Sequence, residues 1–184
     1  ESHKSPILDA QRAIRVVRSN AKEWGVDAQK IGVMGFSAGG HLAATVSTHF
    51  DDKYAEATDS IDYLSARPDF SILVYPVVTL KSDYTDNGSR NKLLRFNLDE
   101  ELITHFSNEL HVNANTPPTF IMHSSNDSIV PVQNSLQYYQ TLIENKVEAE
   151  MHLYPIGGHG YALAQDNDYL SAWTNELKAW LKRH

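Results

Sequence analysis

Cysteine is absent from the 184 residues, so disulfides, thiolate metal sites and a cysteine nucleophile are all excluded, and redox compartment is not inferable from the composition. Basic residues are in the minority: 16 Lys and Arg against 23 Asp and Glu give a formal net charge of −7, which repels a phosphate backbone. No basic run or aromatic–basic interleaving offsets that charge, so no nucleic-acid partner is expected. Long apolar runs are missing too. No stretch approaches the roughly 20 residues needed to cross a bilayer, and Glu1-Ser2-His3-Lys4 lacks the basic and then apolar regions of a signal peptide. No membrane partner is expected, and the compartment, whether cytoplasmic or secreted, stays open because a processed segment upstream would leave no trace. The 41% hydrophobic and 21% charged residues are ordinary for a globular chain, and this length suits a single domain over residues 1–184.

What is present alternates between helical and extended patterns. Ile7, Ala10, Ile14, Val17, Ala21 and Trp24 step by three and four, predicting a helix that Gly25 ends. The runs Ile31 to Phe36, Phe70 to Tyr75, Thr119 to His123 and Glu150 to Tyr154 are apolar without alternation, as expected of parallel strands covered on both faces. A small-residue helix follows the first, from Ala38 to about Thr48. Val132, Leu136, Tyr139 and Ile143 predict another helical face, and Tyr169, Trp173, Leu177 and Trp180 a C-terminal one. Such alternation means an α/β sheet with helices on its faces. Residues 77–116 break the pattern. They start with a polar stretch, Lys81 to Ser89, and continue into a helix with Asp99 as N-cap and Leu98 set to staple against Ile103. An insertion there shapes a pocket over the sheet rim.

Gly35-Phe36-Ser37-Ala38-Gly39 has the Gly-x-Ser-x-Gly spacing of a nucleophile elbow, at the point where a buried strand gives way to a helix. Gly35 and Gly39 would remove side chains from a sharp turn. The helix start would aim the Ala38 amide at an oxyanion forming beside Ser37. A serine needs a base, and the base an acid. His159, in Gly157-Gly158-His159-Gly160 directly after the last strand, lies on the same rim as Ser37. The other histidines lack that setting: His41, His49, His105 and His111 read as helical, His123 and His152 as strand residues, and His3 and His184 as terminal. No pair of them shows the carboxylate support and spacing of a metal site, so no metal is expected. Asp127 lies in the loop leaving the third strand; its competing role is a helix cap near Pro131, which Ser128 could also fill. Asn126 beside it has no charge to stabilise an imidazolium. The order Ser37, Asp127, His159 is that of α/β-hydrolases.

Ile31 to Ala44 (IGVMGFSAGGHLAA), Thr116 to Val132 (TPPTFIMHSSNDSIVPV), Tyr154 to Tyr161 (YPIGGHGY), the helix Ala10 to Gly25 and the Asn-Glu after Ser107 resemble the α/β-hydrolase esterases grouped with acetylxylan esterases and lipase-like carbohydrate esterases. The resemblance implies a three-layer α/β-hydrolase sandwich with a mostly parallel sheet. It implies Ser37 as nucleophile, Asp127 as acid, His159 as base and the Ala38 amide in the oxyanion hole, with no cofactor. The implied substrates are acetyl or other short acyl esters, including acylated carbohydrate. It also implies strands and a Gly-rich oxyanion loop before the first helix, which residues 1–30 do not contain. The expectation is therefore a chain matching the C-terminal two-thirds of such an enzyme, with an upstream segment or a second chain completing the sheet, or with an oxyanion hole built differently. Two alternatives share these residues: a serine peptidase of the prolyl-oligopeptidase type, and a non-catalytic fragment or binding module.

Overall fold

The computed structural model describes residues 3–81 and 83–184; Glu1, Ser2 and Ser82, parts of the N-terminal tetrapeptide and of the polar stretch noted above, lie outside the described residues. The first helix, α1 (Ser5–Trp24), has Pro6 in its first turn, where a missing amide proton costs nothing, and ends at Gly25 in the left-handed conformation, φ 69°. Strand β1 (Gly32–Phe36) runs into α2 (Ala38–Thr48). Then follow β2 (Phe70–Val74), α3 (Asn87–Leu94), α4 (Glu100–His105), β3 (Thr119–Ser124), α5 (Gln133–Glu144), β4 (Ala149–Tyr154), α6 (Asp168–Ser171) and α7 (Trp173–Leu181). The strands form one parallel sheet in the order β1-β2-β3-β4.

Alternate residues of the central strands face opposite layers, because successive side chains of a strand point to opposite faces. Ile72, Val74, Phe120 and Met122 pack on Trp173, Leu177 and Trp180 of α7. Leu73 and Ile121 meet Ala43 and Ala44 of α2 together with Tyr138 and Leu142 of α5. Helix α1 lies outside α2, joining Ile7 and Ile14 to Val46. These helical layers on both faces of a parallel sheet make the expected three-layer α/β sandwich.

Several expectations about side-chain direction are corrected. In α5 the buried face is Asn134, Ser135, Tyr138 and Leu142; of the expected face, Tyr139 packs half-buried against the core and Val132 is half-buried, but Leu136 and Ile143 are exposed. The polar pair goes inward because it has backbone and imidazole partners there. The Asn134 carboxamide accepts from the Val78 and Thr79 amides at 2.9 and 3.2 Å, and Ser135 bonds His123 at 2.7 Å. Likewise Gln11 is buried in α1 while Trp24 is exposed, and Leu170 replaces Tyr169 in the C-terminal layer. Asp99 caps α4 by accepting from the Glu101 and Leu102 amides, but Leu98 is exposed and makes no staple; Ile103 turns instead to Val77, Leu80 and Phe106. Strand β1 is not covered on both faces: Met34 is 40% exposed, whereas every residue of β3 is buried. Among the described residues β1 has a strand partner on one side alone.

Candidate active site

All four strands point their carboxyl ends at one rim, the place where parallel α/β sheets present their loops for chemistry. Ser37 follows β1 directly and carries φ 51° and ψ −118°, a strained conformation for a residue with a side chain. The strain is held by main-chain bonds on both sides: its amide donates to the Val74 carbonyl at 3.0 Å, and its own carbonyl accepts from His41 and Val77. Gly35 is indispensable to that turn, since a Cβ there would lie 2.0 Å from the Gly39 carbonyl oxygen. The expected steric need for Gly39 is corrected. A Cβ at Gly39 meets open space, and the second forced glycine is Gly40, whose Cβ would sit 2.7 Å from Pro76.

Loops from the sheet rim bring two further side chains to Ser37. The Ser37 hydroxyl lies 2.8 Å from His159 Nε2, and His159 Nδ1 lies 2.6 Å from Asp127 Oδ2. Asp127 is an acceptor only, so it fixes Nδ1 as the protonated nitrogen and leaves Nε2 to accept from the serine. The Asp127 side chain is wholly buried, and its other oxygen accepts from the Ile129 and Val130 amides, both at 2.9 Å. Those bonds are local, within the loop. Neither Asp127 nor Ser128 caps α5, whose N-terminus has no side-chain cap.

Three residues outside the expected set hold this arrangement. His123, buried at the end of β3, donates from Nε2 to both Asp127 Oδ2 (3.2 Å) and the Val130 carbonyl (3.0 Å), while Ser135 bonds its Nδ1. Burial holds the His123 imidazole below its ordinary pKa, against the pull of Asp127. Asn126, uncharged, accepts from the Gly158 amide at 2.9 Å and so ties the acid loop to the histidine loop. Tyr75, itself at φ 37°, packs its ring 4.7 Å from that of His159 and accepts the Ala162 amide on its hydroxyl. Asn126 and Tyr75 act across the sheet rim and had no local signal; His123, four residues before Asp127, was the one within reach of the sequence.

Ala38 is the first residue of α2, where an amide has no partner within the helix and the helix dipole is positive. Beside it opens a cavity of about 470 Å³ lined in part by Ile7, Ala38, Gly39, Leu80, Leu93 and Phe106. Segment 77–116 contributes three of those six.

The remaining histidines are not as scattered as the sequence suggested. His41 is helical and buried, donating to the Phe106 carbonyl at 2.8 Å. His49 and His111 sit just past helical turns rather than on them. His49, Asp52 and His105 bring one potential ligand atom each to within 4.8 Å of one another, which corrects the expectation that no such grouping exists.

The profile of the BD-FAE family matches residues 2–142. An endo-1,4-beta-xylanase B of Butyrivibrio fibrisolvens is 41% identical over 94% of this chain and 27% of its own length, and an acetylxylan esterase of Xylanibacter ruminicola is 33% identical over 96% of this chain and 35% of its own. The chain thus spans about a third of those relatives. The crystal structure of an acetyl ester-xyloside bifunctional hydrolase from Caldicellulosiruptor lactoaceticus superposes with a TM-score of 0.94 at 43% identity, covering all of this chain and 67% of that one. On the family profile and these relatives, the chain belongs to the BD-FAE family and has the α/β-hydrolase fold.

Proposed function

We propose that the protein carrying this chain is a carboxylic ester hydrolase acting through Ser37, His159 and Asp127. The observation that carries the reading is the unbroken hydrogen-bond series from the Ser37 hydroxyl through both nitrogens of His159 to a buried, doubly amide-bonded Asp127. In this reading His159 Nε2 takes the proton as Ser37 Oγ attacks the ester carbonyl, and the Ala38 amide donates to the oxyanion. The tetrahedral intermediate then collapses: the bond to the alcohol breaks, His159 returns the proton to it, and an acyl-Ser37 ester remains. Water repeats the sequence and releases the acid. No cofactor is called for.

Acetyl and other short acyl esters, including those of acylated carbohydrate, are the proposed substrates. The similar proteins named above support this, as does a cavity of about 470 Å³ beside the Ser37 turn, walled in part by residues 77–116. The one-sided pairing of β1 and the single amide donor at Ala38 support a further proposal. Additional polypeptide, continuous with this chain or separate, would extend the sheet and supply the second oxyanion donor. Labelling by a fluorophosphonate tests the core of the reading, since only an activated serine reacts. Labelling lost in Ser37→Ala is the expected result, and an unlabelled folded wild type would overturn it. Faster turnover of peptide amides than of acetate esters would favour the peptidase alternative.

A further inference from the structure

Helix α2 begins at the Ser37 turn and ends, about 17 Å away at 1.5 Å per residue, in a second cluster of polar side chains that the ester chemistry does not use. We propose that His49, His105 and Asp52 at that end form a binding site for a divalent first-row transition-metal ion such as zinc, which clamps residues 77–116 to the helix that carries Ser37. The proposal does not depend on the ester reading.

The strongest pointer is His49. It is 96% buried by its 4% exposure, and its Nε2 has no hydrogen-bond partner. The protonation state of that nitrogen follows from its neighbours. The Thr48 hydroxyl faces three carbonyl-type acceptors, the nearest being the Ala44 carbonyl at 2.9 Å. With its single proton in the back-bond to the Ala44 carbonyl that is usual for a helical threonine, Thr48 accepts from His49 Nδ1, 2.8 Å away, and this is the tautomer we assign. Nδ1 therefore carries the hydrogen, and Nε2 is a buried lone pair with nothing donating to it. Leaving such a pair desolvated and unpaired is costly, and a cation is what it fits. A ligating imidazole whose other nitrogen donates to a fixed acceptor is the usual arrangement around protein-bound zinc.

The partners are also held in place. Gln11, buried in α1, donates to the carbonyls of His49 (3.0 Å) and Asp52 (3.1 Å), fixing the turn that presents both residues. The Tyr54 hydroxyl donates to Asp52 Oδ2 at 3.1 Å and accepts from His105 Nε2 at 2.8 Å, which orients the carboxylate and the second imidazole together; Nε2 gives up that contact and its proton when the ion binds. His111 walls the cluster with its ring 4.5 Å from that of His49, but its Nε2 is bound to the Thr104 carbonyl at 2.9 Å. With Zn–N near 2.0 Å, tetrahedral ligand atoms lie about 3.3 Å apart. The ligand atoms, all within 4.8 Å of one another, draw together on binding, and the half-exposed Asp52 carboxylate exchanges its Tyr54 contact for the ion. Two imidazoles and a carboxylate without thiolate suit zinc, cobalt or nickel rather than calcium or magnesium.

Calorimetric titration of zinc sulfate into untagged protein carrying this chain tests the site, with Co²⁺ absorption as a spectroscopic readout. One saturable equivalent per chain is expected, with a raised melting temperature and visible cobalt bands. Because His49→Ala opens a buried hole and could unfold the protein, the informative variants are His105→Ala and Asp52→Asn, each expected to weaken zinc binding by roughly 10-fold or more. His152→Ala, in the separate His152–Glu150 pair on β4, should leave it unchanged. Absence of saturable binding to folded protein, or binding that His105→Ala and Asp52→Asn leave intact, overturns the proposal.

Discussion

The two ends of α2 present the same side-chain types arranged to opposite effect. At the N-terminal end, Ser37, His159 and Asp127 form a closed relay in which each polar atom has a partner at 2.6–2.9 Å, with the serine proton at its head. At the C-terminal end, His49 has one nitrogen bound and the other bare, with an imidazole and a carboxylate nearby. A satisfied relay moves a proton; an unsatisfied buried lone pair holds a cation. The same helix thus separates a site suited to proton transfer from one suited to a Lewis acid, and residues 77–116 touch both.

The largest effect that would test this contrast is Ser37→Ala. It should lower acetate-ester turnover by roughly 10⁴ to 10⁶-fold while leaving the zinc-dependent rise in melting temperature unchanged. A variant that lost both, with the fold intact, would erase the distinction between the two ends. Asp127→Asn should cost about 10⁴-fold in kcat, because an amide at that position allows the wrong His159 tautomer. A loss under tenfold in steady-state kinetics would make Asp127 a structural residue of the loop.

Acid should expose both ends at once. Burial lowers the pKa of His41 and of His49 from 6.5 to about 4. As pH falls below 6.5 the unfolded chain takes up these protons first. Stability is therefore full above that value and declines toward pH 4, by on the order of 3 kcal/mol per histidine. Chemical denaturation across that window measures it, and His41→Gln should flatten the decline by about half. Smaller still is Asn126→Ala, which cuts the bond from the Gly158 amide that braces the histidine loop on the acid loop beside the Asp127–His159 pair. The expectation is a several-fold fall in kcat with KM little changed, from a His159 that samples more positions. Finally, acetyl esters should be turned over faster than octanoyl esters, and the reverse order would mean that the cavity beside Ala38 accepts a long chain.

The legible parts of the sequence were those whose signal is short-range. The Gly-x-Ser-x-Gly turn, the glycine-flanked His159 and the loop carrying Asp127 each follow a strand, and a parallel sheet puts every such loop on one rim, so their meeting required no knowledge of contacts. Strand and helix positions followed from periodicity for the same reason. Facing was less legible. Apolar counting turned α5 outward-side in, because it cannot know that Asn134 and Ser135 find the Val78 amide and His123 inside. Nor could it tell that β1 leaves Met34 in the open while β3 is buried throughout, since both are equally apolar runs.

By itself, then, the sequence determined the order of the strands and of the helices other than α3, the elbow at Ser37 and the two loops that reach it, because each rests on local backbone geometry. Only the tertiary structure decided which glycine the elbow forces, that His123 and Asn126 brace Asp127 and His159, and that His49 and Asp52 meet His105. Apart from the four-residue step from His123 to Asp127, those are pairings between segments distant in sequence, and no spacing along the chain encodes them.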